Sequence, residues 1–370
     1  MVIRVCEPSI GQEEIKNAIE ALKSTHISGT SGRFIPEFEE AFAAYCNAPY
    51  GVSVNSGTAA LHLAVDAFDI GKGDEVILPT FTNIATALAV VYCDAKPVLV
   101  DAERDTWNMD VSQVEAKITP RTRAILVVHI YGHPVDMDPV LDMARRHNLL
   151  VIEDAAEAHG AQYKSKIVGC LGDAGCFSFY ANKIVTTGEG GMIVTNNVEM
   201  AEKARIKRDL AFEKPTRFLH RFTGYNYRMP NIQAGIGLAQ LHRIDEIIEK
   251  KRALAHRYNK ILGEVDGITL PVEKPWAKNV YWMYSILVED SYGMSRDDLR
   301  VRLEEKGIES RTFFIGMHAQ PAFHKLGLFQ GESYPVCDEI ARRGLYLPSG
   351  VDLRPDEITY VAETIRGLRR

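Results

Sequence analysis

Cys176-Phe177-Ser178-Phe179-Tyr180-Ala181-Asn182-Lys183, then Ile184 and Val185, then Thr186-Thr187-Gly188-Glu189-Gly190-Gly191, is an apolar run ending in a lysine ahead of a glycine-rich turn. The run at 176–180 reads as a buried strand and the glycines as the turn that follows it. A lysine at the mouth of such a strand needs a reason, because a buried ammonium is costly. A Schiff base with a carbonyl cofactor is one reason. A structural ion pair or a snorkelling surface lysine is the competing reading at this point.

Working outward, short apolar runs at 51–54, 75–78, 97–100, 124–128, 149–153, 176–180 and 192–195 alternate with helical patterns at 59–68, 84–92 and 139–147. Alternation of this kind predicts an α/β fold with a doubly wound, mostly parallel seven-stranded sheet. Upstream, 12–23 reads as an amphipathic helix leading into the polar loop 28–33. A long helix pattern from Asn231 toward Tyr258 bridges to a smaller C-terminal α+β part, with a strand at 281–288, a helix at 296–306 and a last helix from Pro355. The boundary falls inside the bridging helix: residues 1–245 form the large domain and residues 246–370 the small one.

The chain of 370 residues carries a net charge of −6 with no basic block, which argues against nucleic acid as a partner. Six cysteines lie scattered without a Cys-x-x-Cys pair, and no signal peptide or long apolar span is seen, so a reducing cytoplasm without membrane insertion is expected. No metal-ligand spacing stands out.

Asn55-Ser56-Gly57-Thr58-Ala59-Ala60 ends the first sheet strand and opens a helix, where free backbone N–H groups and the helix dipole converge. This is either a phosphate cradle or an ordinary helix cap. Asp154 follows the strand at 149–153, at the carboxyl edge where open α/β sheets place ligands. A phosphate site, an aspartate for a cationic ring nitrogen and an amine for an aldehyde are together what pyridoxal 5'-phosphate requires. Phe81, at another strand end, is a candidate to stack on the ring or a core phenylalanine.

With these residues in view, the chain resembles the DegT/DnrJ/StrS sugar aminotransferases, fold-type I pyridoxal phosphate enzymes. The resemblance covers nearly the full length. It rests on 55–63, Val128-His129-Ile130-Tyr131-Gly132-His133, Glu153-Asp154-Ala155-Ala156-Glu157-Ala158-His159-Gly160 and the Lys183 segment. It implies that Lys183 carries the cofactor and moves protons, that Asp154 pairs with the pyridine nitrogen, and that Gly57, Thr58 and Ser178 hold the phosphate. Glu157 would sit by the phenolic oxygen. Asn226 would reach the neighbouring subunit's phosphate, which implies a homodimer with shared active sites.

Lysine rather than histidine at 183 sets the chain apart from the related 3-dehydratases and favours transamination, with L-glutamate as donor and a nucleotide-linked keto sugar as acceptor. The segments 224–229, 107–110 and 309–311 with Met317-His318 are most similar to members acting at C4 of a GDP-linked 4-keto-6-deoxy sugar for O-antigen synthesis. A UDP- or dTDP-linked sugar is the alternative. Arg33, Arg228 and Arg311 are candidates for the nucleotide diphosphate, and His159 and His318 for the sugar. A non-catalytic regulator on the same scaffold is a rival reading that the intact Lys183, Asp154 and Ser178 oppose. A nicotinamide dehydrogenase would need a Gly-x-Gly-x-x-Gly turn where Asn55-Ser56-Gly57-Thr58 stands.

Overall fold

The computed structural model describes residues 2–212, 216 and 218–369. Two helices, α1 (Gln12–Lys23) and α2 (Phe34–Tyr45), precede β1 (Tyr50–Val54), α3 (Gly57–Ala67), β2 (Glu75–Pro79), α4 (Ile84–Tyr92), β3 (Lys96–Val100), β4 (Thr122–Val128), α5 (Met137–His147) and β5 (Leu150–Asp154). A short hairpin of β6 (Gln162–Tyr163) and β7 (Lys166–Ile167) leads to β8 (Ala174–Ser178), β9 (Gly191–Thr195) and α6 (Val198–Arg208). Helices α7 (Asn231–His242) and α8 (Ile244–Leu262) introduce the C-terminal part. It comprises β10 (Ile268–Thr269), β11 (Ala277–Lys278), β12 (Ser285–Val288), α9 (Arg296–Glu305), β13 (Arg311–Thr312), α10 (Pro321–Lys325), α11 (Pro335–Arg343), β14 (Gly344–Tyr346) and α12 (Pro355–Leu368).

The main sheet has seven strands in the order β1-β9-β8-β5-β4-β2-β3, as the alternation predicts. Only β9 runs against the others, pairing antiparallel with both β1 and β8. Strands β2, β8 and β9 are buried at every residue, which is why they read as unbroken apolar runs: helices cover both faces of a parallel sheet. Close packing of those helices needs small residues. A Cβ on Gly237 of α7 would stand 2.6 Å from the Phe38 ring of α2.

Strand β8 ends at Ser178, two residues short of the expected end. Phe179 turns its amide to the Gly190 carbonyl at 2.8 Å, and Tyr180 keeps only an isolated bridge to Gly188. Lys183 therefore rides on a turn beyond the sheet edge. The bridging helix is also not continuous, because Arg243 leaves helical geometry (φ −108°, ψ 6°) and separates α7 from α8.

A second apolar core gathers Leu254, Tyr258, Tyr284, Ile286, Leu303, Leu345 and Val361. Ile3 joins it, bonded through its backbone to Gly307 and Glu309. The strand expected from Tyr281 begins only at Ser285. Tyr281 has φ +47°, and Val280 and Trp282 donate to the carbonyls of Gly132 and Tyr131, tying residues 280–282 to the large domain. No described helix is long and apolar enough to cross a membrane.

Candidate active site

A cavity of about 410 Å³ opens at the carboxyl edge of β4, β5 and β8, and its far wall comes from the C-terminal part. It is lined by Gly57, Thr58, Asp154, Glu157, Ser178 and Lys183 on the sheet side, and by Trp282, Arg311, Phe314 and Tyr346 opposite. Residues far apart in sequence meet here because adjacent parallel strands end side by side. Asp154 is the last residue of β5 and lies in register with Val128 of β4 and Cys176 of β8.

The first turn of α3 leaves backbone donors free at the edge of the cavity. Ser56 caps the helix by accepting from the Ala59 amide at 3.1 Å, and the Ala60 amide reaches the Ser56 carbonyl at 3.0 Å. The Gly57 and Thr58 amides precede these bonds and have no intrahelical acceptor. Gly57 is required by contact: a Cβ there would lie 2.6 Å from the Ser178 Cβ. Helix start and strand end thus converge, with the positive end of the helix facing the cavity.

Asp154 is 5% exposed; it accepts from the Thr86 hydroxyl at 2.8 Å and from the Ala156 amide at 3.2 Å. Burial pushes its carboxyl upward, against the lowering effect of those two donors and of the Lys183 charge. Glu157 is raised by burial in the same way, and it accepts from the Tyr131 amide at 2.9 Å. Lys183 Nζ lies 3.5 Å from Glu157 and 3.6 Å from the centre of the Trp282 ring. Burial lowers the pKa of this amine, and the carboxylates of Glu157 and Asp154 resist that shift. Lowering an amine's pKa enlarges the share of its neutral form, the one that attacks a carbonyl.

These residues fit pyridoxal phosphate: unsatisfied helix amides and a serine for a dianion, a buried carboxylate for a ring N–H, and an amine for an aldehyde. Asn226 is exposed outside its own chain's cavity, with its carbonyl accepting from Asn55 at 3.4 Å. Among the described residues no His, Cys, Asp or Glu cluster could hold a metal ion.

Several expected placements are corrected. Phe81 is 1% exposed and packs against Tyr131, Phe313 and Phe314 behind the cavity, while Thr82, Asn83 and Ala85 face it. His159 does not line the cavity: it is fully buried among Phe42, Phe177 and Phe179. His318 has both ring nitrogens engaged, with Thr80 at 2.8 Å and Asp338 at 3.0 Å, and does not line the cavity. Arg33 is exposed and paired with Glu20 and Glu37, and Arg228 pairs with Asp209 at 2.5 Å. Neither of these two lines the cavity. Arg311 alone of the three arginines lines the cavity.

Sequence reasoning missed Thr86, Trp282, Phe314 and Tyr346. Thr82 and Thr86, four apart around an otherwise apolar helix, were a readable signal, and their hydroxyls bond at 2.8 Å. Tyr281-Trp282-Met283-Tyr284 breaks the alternation of a strand, which marks an irregular segment.

The DegT/DnrJ/EryC1/StrS aminotransferase family model matches residues 8–366. The GDP-perosamine synthase of Caulobacter vibrioides is 45% identical over 97% of this chain and 96% of its own. The dTDP-3-amino-3,4,6-trideoxy-alpha-D-glucose transaminase of Streptomyces venezuelae is 37% identical over 99% of this chain and 98% of its own. The solved structure of S. venezuelae DesV in complex with a ketimine intermediate superposes with a TM-score of 0.90 at 37% identity, covering 96% of this chain and 94% of that one. On geometry and likeness together, the chain belongs to the DegT/DnrJ/EryC1/StrS aminotransferase family.

Proposed function

We propose that this chain moves an amino group from L-glutamate to C4 of GDP-4-keto-6-deoxy-D-mannose, giving GDP-perosamine, with pyridoxal phosphate held by Gly57, Thr58, Asp154, Glu157, Ser178 and Lys183. The observation that carries the reading is the convergence of Lys183, Asp154 and the α3 amides on one cavity, in a chain 45% identical to a GDP-perosamine synthase over nearly its whole length.

When bound, pyridoxal phosphate supplies an aldehyde and an electron-accepting ring. Asp154 keeps a negative charge against the ring nitrogen, and Thr86 and Ala156 hold that carboxylate in place. Lys183 is the nucleophile and then, once its amine is free, the base that takes a proton at Nζ and returns it. The Trp282 ring and Tyr346 close the cavity and keep water from the reacting atoms. Arg311, exposed at the mouth, offers a planar cation for a phosphate oxygen of the nucleotide.

Asn226 is exposed, and so are Leu219 and Phe222 a few residues before it in the chain, which supports a homodimer in which it completes the neighbouring site. Mixing Lys183→Ala with Asn226→Ala subunits should then restore activity, and confirmed subunit exchange without recovery overturns the shared site. Cytoplasmic location follows from the soluble nucleotide-sugar substrate.

The substrate is tested by comparing kcat/KM for GDP-, UDP- and dTDP-linked 4-keto-6-deoxy hexoses under saturating glutamate. A pocket that hydrogen-bonds guanine should reject the other bases by about ten-thousand-fold. Preference for a UDP- or dTDP-linked sugar overturns the substrate and leaves the aminotransferase standing.

A further inference from the structure

Lys251 of α8 is 1% exposed and, among the described residues, is the only lysine buried to this degree. It has no carboxylate partner among them. An ammonium removed from water without a counter-charge persists only where other acceptors hold it. Here they are two backbone carbonyls, of Trp282 at 2.8 Å and of Ser349 at 2.5 Å. Ser349 is itself fixed, its amide donating to the Val5 carbonyl at 2.7 Å and its hydroxyl accepting from the Tyr284 amide at 2.8 Å. Lys251 thus ties Trp282 to the seam between the two cores.

Trp282 is anchored at three further points. Its amide donates to the Tyr131 carbonyl at 3.0 Å, its indole N–H donates to the Asn182 carbonyl at 2.8 Å, and its ring faces Lys183 Nζ at 3.6 Å. One side chain therefore touches both the peptide preceding Lys183 and the amine at its tip. We propose that Lys251 is a positioning residue for the transamination site: it clamps Trp282 so that the indole face holds the free amine of Lys183 whenever that amine is not joined to the cofactor. The proposal rests on Lys183 being the cofactor lysine. Cation–π attraction favours the charged amine on that face. The ionisable groups that also face Lys183 are Glu157 and Asp154 from the end of β5, Cys6 from the N-terminal segment, His159 behind it, and Glu189 and Arg311 around the cavity.

The test reads Lys183 itself in cofactor-free protein, as the pH dependence of its acetylation rate followed by peptide mass. Lys251→Met should lower the ionisation midpoint of Lys183 by about one pH unit, because a loosened ring no longer favours the ammonium. Lys251→Gln, whose amide can still donate to the carbonyls, should stay within a few tenths of a unit of the unmodified protein. In a Trp282→Leu background, Lys251→Met should add nothing. A rise in the midpoint, which direct loss of a nearby positive charge would give, overturns the clamp. So does an equal shift in the Trp282→Leu background, or no shift at all. If Lys251→Met does not fold, Lys251→Ser leaves room for water to satisfy both carbonyls, and the same downward shift is expected of it. No substrate enters this experiment, so it stands apart from the substrate comparison. Borohydride reduction that marks a lysine other than 183 removes the premise separately.

Discussion

The sheet wall of the cavity and the wall opposite it are made in different ways. Gly57, Asp154 and Ser178 stand at strand ends or a helix start, where sheet register and close packing fix each Cα, and the Asp154 carboxylate is held by Thr86. Trp282, Arg311 and Tyr346 come from the C-terminal part of the chain, and the exposed Arg311 makes a 3.4 Å contact with Glu309. A rigid wall suits a cofactor that is the same in every turnover. A wall built from a separate stretch of chain can vary with the substrate without disturbing the chemistry, as expected where function is grafted onto a scaffold. Substitutions on the first wall should therefore stop the reaction, and those at Arg311 on the second should change what reacts, whereas Trp282, bonded to Asn182 and Tyr131 and facing Lys183, sides with the first.

The largest effect is expected at Lys183. Lys183→Ala removes nucleophile and proton carrier at once and should lower turnover on the order of ten-thousand-fold or more, read by steady-state kinetics. Borohydride reduction of the wild-type holoenzyme and peptide mapping should place the pyridoxyl group on Lys183. A label on Lys164 or Lys166 instead would break the assignment. Next in size is Asp154→Asn, which keeps the shape and an acceptor for Thr86 but removes the charge facing the ring nitrogen. A loss of about a hundred- to a thousand-fold in kcat is expected in both half-reactions. Equal kcat for the variant and wild type would mean that this carboxylate does not govern the chemistry.

Arg311→Ala should behave differently from both. Loss of a charge-assisted hydrogen bond to a nucleotide phosphate should raise KM for the sugar nucleotide by roughly ten- to a hundred-fold. The glutamate half-reaction, measured alone by stopped flow, should be unchanged. If glutamate suffers equally, the division between the two walls fails at this residue, and Arg311 serves the donor as well.

The same division explains how far the chain could be read. The seven strands, and the placing of the 55–60 turn, Asp154 and Lys183 around one sheet edge, were legible because a buried parallel sheet imposes continuous apolar runs and brings strand ends together, both local properties of sequence. The opposite wall leaves no such trace. Trp282 reaches Lys183 only because Tyr281 adopts a positive φ and residues 280–282 bond back to the turn at Gly132. His159 shows the reverse: it follows Glu157 by two residues in the chain, yet it does not line the cavity and packs into the aromatic layer of Phe42, Phe177 and Phe179. Motif membership told where the backbone lies, and burial decided what the side chain does.

His159 supplies the smallest and most specific test. Burial, and secondarily the charge of Lys183, lower its pKa from 6.5 to about 3, so it remains neutral in the folded chain through mild acid. The unfolded chain protonates at its ordinary value and the folded chain does not. The stability that this neutral histidine contributes is therefore fully present above pH 6.5 and is lost progressively as pH falls toward 3. His159→Leu deletes the titration and keeps an apolar side chain among Phe42, Phe177 and Phe179. Denaturant unfolding should find the variant's stability falling less steeply than wild type between pH 6.5 and 4, with a difference on the order of 1–3 kcal/mol accumulated across that interval. Above pH 7 the curves should run parallel, and KM for the sugar nucleotide should be unchanged because the ring does not line the cavity. A raised KM would return His159 to the substrate wall. Parallel curves through the acid range would show that another buried group, such as His133, whose pKa burial lowers to about 4, accounts for the acid loss instead.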